Sequence, residues 1–242
     1  MISTAEIKYI KSLSQKKFRD EEGLFVVEGE KLVAEALDSS FEVLKVYRRE
    51  DIGESAMARI SGLSSPSPAL AIVRKPLSVS DLPSVPGRGL YLALDGIRDP
   101  GNMGTILRIA DWFGLDGVFA SEDSVDFFNP KVVQATMGAI FRVRFTYCSL
   151  PELCRSFREA GGKVYGTFLD GENIYRQALE TGSSVPSLVI TGSEAHGISP
   201  EVAECVSDRL FIPPYPAEDP GSESLNAAVA TAITLAEFRR RF

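Results

Sequence analysis

From Leu90 onward, apolar runs of strand length alternate with segments that have helical periodicity. The predicted strands are 90–94, 117–120, 141–145, 163–168, 188–191 and 210–212. The predicted helices lie near 103–113, 130–137, 151–160, 200–206 and 225–240. This alternation is typical of an α/β fold with a mainly parallel sheet and helices on both of its faces. Ligands of such sheets bind beyond the carboxyl ends of the strands, so the segments that follow the strands are candidate functional sites.

A stretch rich in proline and glycine, 81–89, predicts a linker before this region. Upstream of it, strands and helices are predicted at 24–27, 31–37, 43–47, 55–60 and 69–74, after a first helix capped by Ser3 or Thr4. An α/β unit of about 80 residues is within the usual range for a small domain. We therefore predict two domains, residues 1–84 and residues 89–242.

The composition excludes several protein classes. Of the 242 residues, 44% are hydrophobic and 24% are charged, so the chain can bury a core. Cys148, Cys154 and Cys205 lie outside any CxxC pattern, which favours a reduced, cytoplasmic setting and argues against structural zinc. No apolar run approaches the roughly 20 residues of a membrane span, and the N-terminus does not resemble a secretory signal. We expect a cytoplasmic protein with no metal site and no membrane association.

The formal net charge of −7 argues against a protein that coats nucleic acid, but it leaves room for a local basic face. One such cluster lies near the N-terminus, opposed there only by Glu6 and Asp20: Lys8, Lys11, Lys16, Lys17 and Arg19. We predict that this cluster binds RNA phosphates. The alternative is an ordinary solvated helix face.

The first motif, 95–108, begins where the first strand of the C-terminal region ends. Its Pro-Gly pair predicts a turn, Asn102 a helix N-cap, and Gly104 a point of close backbone approach. Arg108 lies about one helical turn beyond Gly104 on the same side, where a guanidinium suits a phosphate or a sugar hydroxyl. The alternative is a capped helix with a surface arginine.

The second motif follows the predicted strand 188–191, which leads into Gly192 and then Glu194. Backbone groups of such a glycine-containing loop suit an adenosine or a carboxylate. His196 is the only histidine of the chain, and a hydrolytic pair with Ser193 is an alternative, although the segment lacks a nucleophile elbow and an orienting acid. A plain turn between strand and helix is the other alternative.

The third motif begins with Phe211, Ile212 and Pro213, and continues after a polar loop. Ser224 or Asn226 is predicted to cap the last helix. That helix carries small residues that favour close packing or a dimer face: Ala227, Ala228, Ala230 and Ala232. Neither a GxGxxG fingerprint nor a Walker A loop occurs in the chain, so dinucleotide and nucleoside triphosphate chemistry are unsupported.

Together and in this order, the three motifs resemble those of the SpoU/TrmH branch of the SPOUT RNA methyltransferases. The matching segments are 99–110, 192–199, and 212–213 with 224–226. Residues 129–138 are similar to the segment between the first two motifs, and residues 25–33 to the start of the family's L30e-like substrate-binding domain. The resemblance spans the chain.

The resemblance implies an enzyme that methylates a ribose 2′-hydroxyl of RNA with S-adenosylmethionine as methyl donor. It also implies a trefoil knot in the C-terminal domain, and a homodimer whose active site is shared between chains. The residues that match the family's catalytic positions are Arg108, Asn102, Glu194, Ser224 and Asn226. Those that match its cofactor-binding positions are Thr191, Gly192, Glu194, Gly197, Phe211, Ile212, Pro213, Ser224 and Leu225.

Arg108 is expected to align an RNA phosphate and the hydroxyl, since a guanidinium stays protonated in ordinary environments. A phosphate oxygen or Glu194 would accept the proton first. The separate N-terminal domain favours ribosomal RNA over transfer RNA as the substrate. A non-catalytic protein that binds RNA or the ribosome is the alternative.

Overall fold

The computed structural model describes residues 2–76, 87–216 and 224–241. Residues 81–86 of the predicted linker and residues 217–223 of the loop before the last helix lie outside them. By its contacts the chain divides into two compact units. One unit comprises Met1–Val79 with Asp126–Arg142, and the other comprises Ser80–Val125 with Val143–Phe242.

Helices and strands alternate along much of the chain. Up to residue 79 they are α1 (Thr4–Ser12), α2 (Lys16–Glu22), β1 (Leu24–Glu28), α3 (Glu30–Asp38), β2 (Val43–Arg48), α4 (Arg49–Ile52), α5 (Glu54–Ile60) and β3 (Ala69–Arg74). Beyond residue 86 they are β4 (Leu90–Asp95), α6 (Pro100–Trp112), β5 (Gly117–Ala120), α7 (Pro130–Thr136), β6 (Phe145–Tyr147), α8 (Leu150–Glu159), β7 (Lys163–Asn173), β8 (Ser187–Gly192), α9 (Pro200–Ala203), β9 (Asp208–Phe211) and α10 (Ala227–Arg240).

The smaller unit contains a three-stranded antiparallel sheet in the order β1-β3-β2. Two helices precede β1, where the sequence predicted one. Between them the hydroxyls of Ser12 and Ser14 donate to the carbonyls of Tyr9 and Lys11. Such local bonds compete with the helical ladder, which accounts for the break.

Residues 126–142 group with this smaller unit rather than with the residues on either side of them. Phe128 packs against Phe25 with ring centroids 4.8 Å apart, and Phe141 meets Phe41 edge-on at 5.2 Å. The strand predicted at 141–145 is wrong over most of its length: a 3-10 turn ends at Phe141, and β6 begins only at residue 145. The physical reason is that Phe141 is used in this aromatic cluster instead of in a sheet.

The larger unit contains a six-stranded sheet in the order β6-β5-β4-β8-β7-β9, with every neighbouring pair parallel. Helices α8 and α9 pack against one face through an apolar core that includes Tyr91 and Phe157. On the other face α10 packs against α6 and β8, and the Thr231 hydroxyl meets that of Thr191 at 3.0 Å. The predicted parallel sheet with helices on both faces is confirmed, while the trefoil knot stays a prediction.

Because all six strands are parallel, their carboxyl ends lie at one edge of the sheet. β4, β8 and β9 end there at Asp95, Gly192 and Phe211, which are the starts of the three motifs. The topology therefore brings the first motif to the same edge as the two later ones, although they are distant from it in sequence. Within the described ranges, no helix has the length and apolar character needed to cross a membrane.

Candidate active site

The first motif places Asn102 inside helix α6 rather than at its N-cap, so the N-cap prediction is wrong. Asp99 is the N-cap, and its Oδ1 accepts the N–H of Asn102 at 2.8 Å. Pro100 follows at the first helical position, where a missing N–H costs nothing. Because Asp99 satisfies the backbone of Asn102, the amide side chain of Asn102 is left for other partners.

That amide meets the second and third motifs at the carboxylate of Glu194. Oε1 of Glu194 accepts hydrogen bonds from Nδ2 of Asn102 at 2.7 Å and from Nδ2 of Asn226 at 2.6 Å. The N–H of Ala227 approaches the same oxygen at 3.4 Å, and the two asparagine side chains are joined at 2.9 Å. We call Asn102, Glu194 and Asn226 the carboxamide cluster. Three of the predicted catalytic residues thus lie in direct contact.

The start of helix α10 holds this cluster in place. Oδ1 of Asn226 accepts the N–H groups of Ala228 at 3.0 Å and Val229 at 3.2 Å, so Asn226 rather than Ser224 is the N-cap. Its Nδ2 remains directed at Glu194. The positive end of the helix dipole also favours a carboxylate at this position.

The loop after β8 is a closed turn. Ser193 and Gly197 exchange two backbone hydrogen bonds, at 3.0 and 2.8 Å. A Cβ on Gly192 would lie 2.1 Å from the carbonyl carbon of Gly197, so only glycine fits there. The Ser193 hydroxyl accepts the backbone N–H of His196, and no hydrogen bond joins their side chains in the described part of the chain. The hydrolytic alternative therefore gains no support.

A cavity of about 360 Å³ opens beside the carboxamide cluster. It is lined by residues from the end of β4, the start of α6, the loop after β8 and the start of α10, and Arg98 and His196 are among them. Its carboxylates are Asp95, Asp99, Asp123 and Glu194. The lining is therefore richer in acceptors than in cations.

Asp123 and Arg98 neutralise each other at this cavity, with Nη2 of Arg98 2.8 Å from the carboxylate. A hydrogen bond from the Ser121 hydroxyl, together with Arg98, lowers the pKa of Asp123 below its usual value. Asp95, Asp99 and Asp123 were not among the site residues predicted from the sequence. Asp95 had a usable signal, because it is a carboxylate directly after a buried strand, at the edge where ligands bind.

The predicted cofactor-binding residues lie at the carboxyl edge of the sheet, but not all can offer a side chain. Glu194 and Gly197 line the cavity. Thr191 is 2% exposed and its hydroxyl contacts Thr231, so only its backbone is left. The remaining predicted positions are partly or largely exposed: Gly192, Phe211, Ile212, Pro213, Ser224 and Leu225.

Arg108 is not brought together with the carboxamide cluster within one chain. It is exposed on α6, and it does not line the cavity. Among residues 2–76, 87–216 and 224–241, no hydrogen bond or ion pair to its guanidinium is found. The cluster also forms without the Ser224 side chain.

The basic cluster near the N-terminus divides into exposed and buried members. Lys8 and Lys11 are exposed on α1, and Lys16 and Lys17 form ion pairs on α2 with Asp20 and Glu21. The prediction for Arg19 has to be corrected, because its side chain is 1% exposed and bonds to Asp126 at 2.5 Å. A buried, paired guanidinium is not available to RNA phosphates.

No group of three or more His, Cys, Asp or Glu side chains suited to a metal ion occurs in the described ranges.

Comparisons with known proteins find relatives that match nearly the whole chain. Residues 4–65 match the model of an MRM3-like substrate-binding domain. The 23S rRNA (guanosine(2553)-2′-O)-methyltransferase RlmP of Bacillus subtilis is 29% identical, covering 97% of this chain and 96% of that protein. A TrmH-family protein from Porphyromonas gingivalis is 40% identical, with a TM-score of 0.88 and 100% of both chains covered. An AdoMet-bound rRNA methyltransferase from Sinorhizobium meliloti is 30% identical, with a TM-score of 0.82, covering 100% of this chain and 97% of that one.

The most extensive family match covers all three members of the carboxamide cluster. Residues 89–236 match the model of the SpoU rRNA methylase family, which is more than half of the chain. This protein therefore belongs to the SpoU rRNA methylase family, as the three motifs predicted.

Proposed function

We propose that this SpoU-family methyltransferase methylates a ribose 2′-hydroxyl in ribosomal RNA, with S-adenosylmethionine as methyl donor. The observation that carries the proposal is the carboxamide cluster, which joins all three motifs at the carboxyl edge of a parallel sheet. RlmP of Bacillus subtilis, similar over nearly the whole chain, is a 2′-O-methyltransferase of 23S rRNA by name.

The residues at this edge fit S-adenosylmethionine. The adjacent cavity of about 360 Å³ is within the roughly 300–1,000 Å³ range of small-molecule sites. The closed turn between Ser193 and Gly197 offers backbone groups at the edge, and Leu225, 46% exposed, offers an apolar surface for an adenine ring. Gly192, Gly197 and Leu225 would hold the cofactor. When bound, S-adenosylmethionine supplies a methyl group activated by a sulfonium.

The chain itself has to orient the ribose hydroxyl and provide for its proton. Orientation of two reactants can supply much of the acceleration in such a transfer. Oε1 of Glu194 already accepts three donors, whereas its Oε2 has no hydrogen bond among the described residues. Glu194 therefore holds the asparagines through one oxygen and offers the other to the substrate or its proton.

Arg108 completes the site if the active form is a homodimer. Two observations support a dimer. The guanidinium of Arg108 on α6 is exposed, and exposed apolar side chains lie on α6 and α10. Trp112 at the end of α6 is 85% exposed, and Val229 on α10 is 47% exposed. Exposed apolar surface of this kind favours association, and a two-fold dimer is the commonest symmetric solution. Arg108 of one chain would then align an RNA phosphate and hydroxyl beside the carboxamide cluster of the other.

Ribosomal RNA is favoured over transfer RNA because a separate domain precedes the catalytic one. We assign substrate binding to residues 1–84 and catalysis to residues 89–242. The match of residues 4–65 to an MRM3-like substrate-binding domain supports the assignment of substrate binding to the N-terminal range.

The test is to map 2′-O-methylated positions in total RNA from cells with and without the gene. We expect one or a few ribosomal RNA positions to lose methylation, and the purified protein with S-adenosylmethionine to restore it. Loss confined to transfer RNA would move the substrate to that class. Failure to bind S-adenosylmethionine at high micromolar concentration would favour a non-catalytic RNA-binding protein.

A further inference from the structure

Asp95 contacts both ends of the loop that carries Glu194. Its backbone pairs with Gly192 in the register of β4 and β8, where the loop begins. Its side chain returns to the other end, since Oδ2 of Asp95 accepts the N–H of Ser199 at 2.6 Å. Residues 193–198 are therefore held between two contacts with a single residue.

Burial of the Asp95 carboxylate at this position is unfavourable in free energy. Asp95 is only 8% exposed, and no cation forms an ion pair with it among the described residues. The nearby Arg98 is engaged with Asp123. A buried carboxylate without a cation costs free energy, whereas a charge-assisted hydrogen bond to an N–H is roughly twice as strong as a neutral one. The strength of its bond to Ser199 offsets part of this cost.

The geometry of the site depends on the position of the loop 193–198. Glu194 lies two residues after Gly192, and its Oε1 has to meet two amide groups within hydrogen-bond distance. The turn between Ser193 and Gly197 is closed internally, so it moves as one piece. Release of Ser199 would let that piece rotate about Gly192. A displacement of about 1 Å can cost on the order of 10²-fold in rate.

We propose that Asp95 is a positioning residue for the methyl transfer. By accepting the N–H of Ser199, it fixes the 193–198 loop, the cofactor-binding backbone of that loop, and Glu194. The proposal rests on the proposed function of the site.

The chain offers a matched control at the other end of the same strand. Oδ2 of Asp116 accepts the N–H of Leu90 at 2.9 Å, at the amino end of β4. Asp116→Ala therefore removes the same type of bond from the same strand, away from the cavity. Asp95→Asn keeps an oxygen that can accept the Ser199 N–H. Ser199→Pro removes the donor and leaves Asp95 intact, and the φ of −62° at Ser199 suits proline.

The experiment measures four quantities on the full-length protein: amide hydrogen exchange at 193–199, the Kd of S-adenosylmethionine by calorimetry, kcat with the RNA substrate, and the melting temperature. For Asp95→Ala and Ser199→Pro we expect faster exchange across the loop, a Kd raised about 10-fold, and kcat lowered about 10-fold or more. Asp95→Asn should retain most of the activity. Asp116→Ala should lower the melting temperature and leave Kd and kcat near wild type.

Three results would overturn the proposal. The first is an Asp95→Asn variant that keeps wild-type exchange at 193–199 but is as inactive as Asp95→Ala, because the negative charge rather than the held loop would then matter. The second is wild-type exchange and Kd in Ser199→Pro, which also decides the case if Asp95→Ala does not fold. The third is an equal loss of cofactor affinity in Asp116→Ala. If the wild type binds cofactor but methylates no RNA, the proposed function fails while exchange and Kd still test Asp95.

Discussion

Two carboxylates of this protein each gather several hydrogen-bond donors, but in opposite surroundings. Glu28, at the end of β1, is 7% exposed and accepts the Ser61 hydroxyl and the N–H groups of Gly62 and Ser67, the latter two at 2.9 and 3.4 Å. Glu194 gathers two carboxamides and one N–H, yet it is exposed at the mouth of a cavity. The first closes a loop, and the second leaves one oxygen accessible. Between these two glutamates, solvent access rather than the number of donors distinguishes the one that closes a loop from the one that can meet a substrate.

Alanine substitution of each glutamate tests this contrast directly, and the change at Glu28 should have the greatest effect on stability. Glu28→Ala removes the acceptor of three partly buried hydrogen bonds. Each such bond contributes roughly 1 kcal/mol, so we expect a loss of about 3 kcal/mol in the free energy of unfolding. Chemical denaturation measures it. Glu194→Ala should lower the melting temperature much less and reduce methylation much more. Equal losses of stability in the two variants would contradict the distinction between the two glutamates.

Arg108→Ala should separate function from stability most cleanly, because its guanidinium makes no bond in the described part of the chain. We expect nearly unchanged S-adenosylmethionine affinity and a loss of turnover on the order of 10²-fold. Arg108→Lys should rescue poorly, since a point charge does not reproduce a planar fork. Arg155→Ala, an exposed arginine of α8, is the matched control. If melting temperature, cofactor affinity and activity all fell together in Arg108→Ala, Arg108 would not be a catalytic residue.

Mixing two inactive variants tests whether Arg108 of one chain completes the site beside Glu194 of the other. If Arg108 acts across a two-fold dimer, mixed dimers of Arg108→Ala and Glu194→Ala contain one intact site. Random exchange of subunits should then restore about a quarter of wild-type activity. Steady-state methylation after co-refolding measures it. No recovery, or a mass near that of one 26.3 kDa chain in light scattering, would place Arg108 and Glu194 in separate roles.

The smallest effect is expected for the basic cluster near the N-terminus. Its exposed lysines and its buried arginine should respond differently to substitution. Neutralising the exposed Lys8 and Lys11 should weaken RNA binding and make its salt dependence shallower by about two units. Cofactor affinity should not change. Arg19→Gln should instead lower the melting temperature, because it leaves the carboxylate of Asp126 without its cation. An unaltered salt slope in the lysine variant would leave α1 as a solvated face.

Much of the fold and part of the site could be predicted from local patterns. The alternation of strands and helices predicted the parallel sheet, because the hydrophobic period is a property of neighbouring residues. Parallel strands end at one edge, so the three motifs were expected to follow strands that end there. The resemblance to the family then assigned Asn102, Glu194 and Asn226 to the site. The N-cap assignment of Asn102 failed because Asp99, three residues earlier, is an equally good cap and begins the helix before Asn102.

Short motifs and hydrophobic periodicity were sufficient to predict the family, the sheet and the segments that meet at its edge. The burial of individual charged side chains could not be predicted in this way. Arg19 looked like a member of an exposed lysine cluster, yet it pairs with Asp126, 107 residues away. Asp95 looked like the end of a strand, yet it holds Ser199, 104 residues away. A buried charge is stable only with a suitable partner, and when that partner is distant in sequence, local patterns do not reveal it.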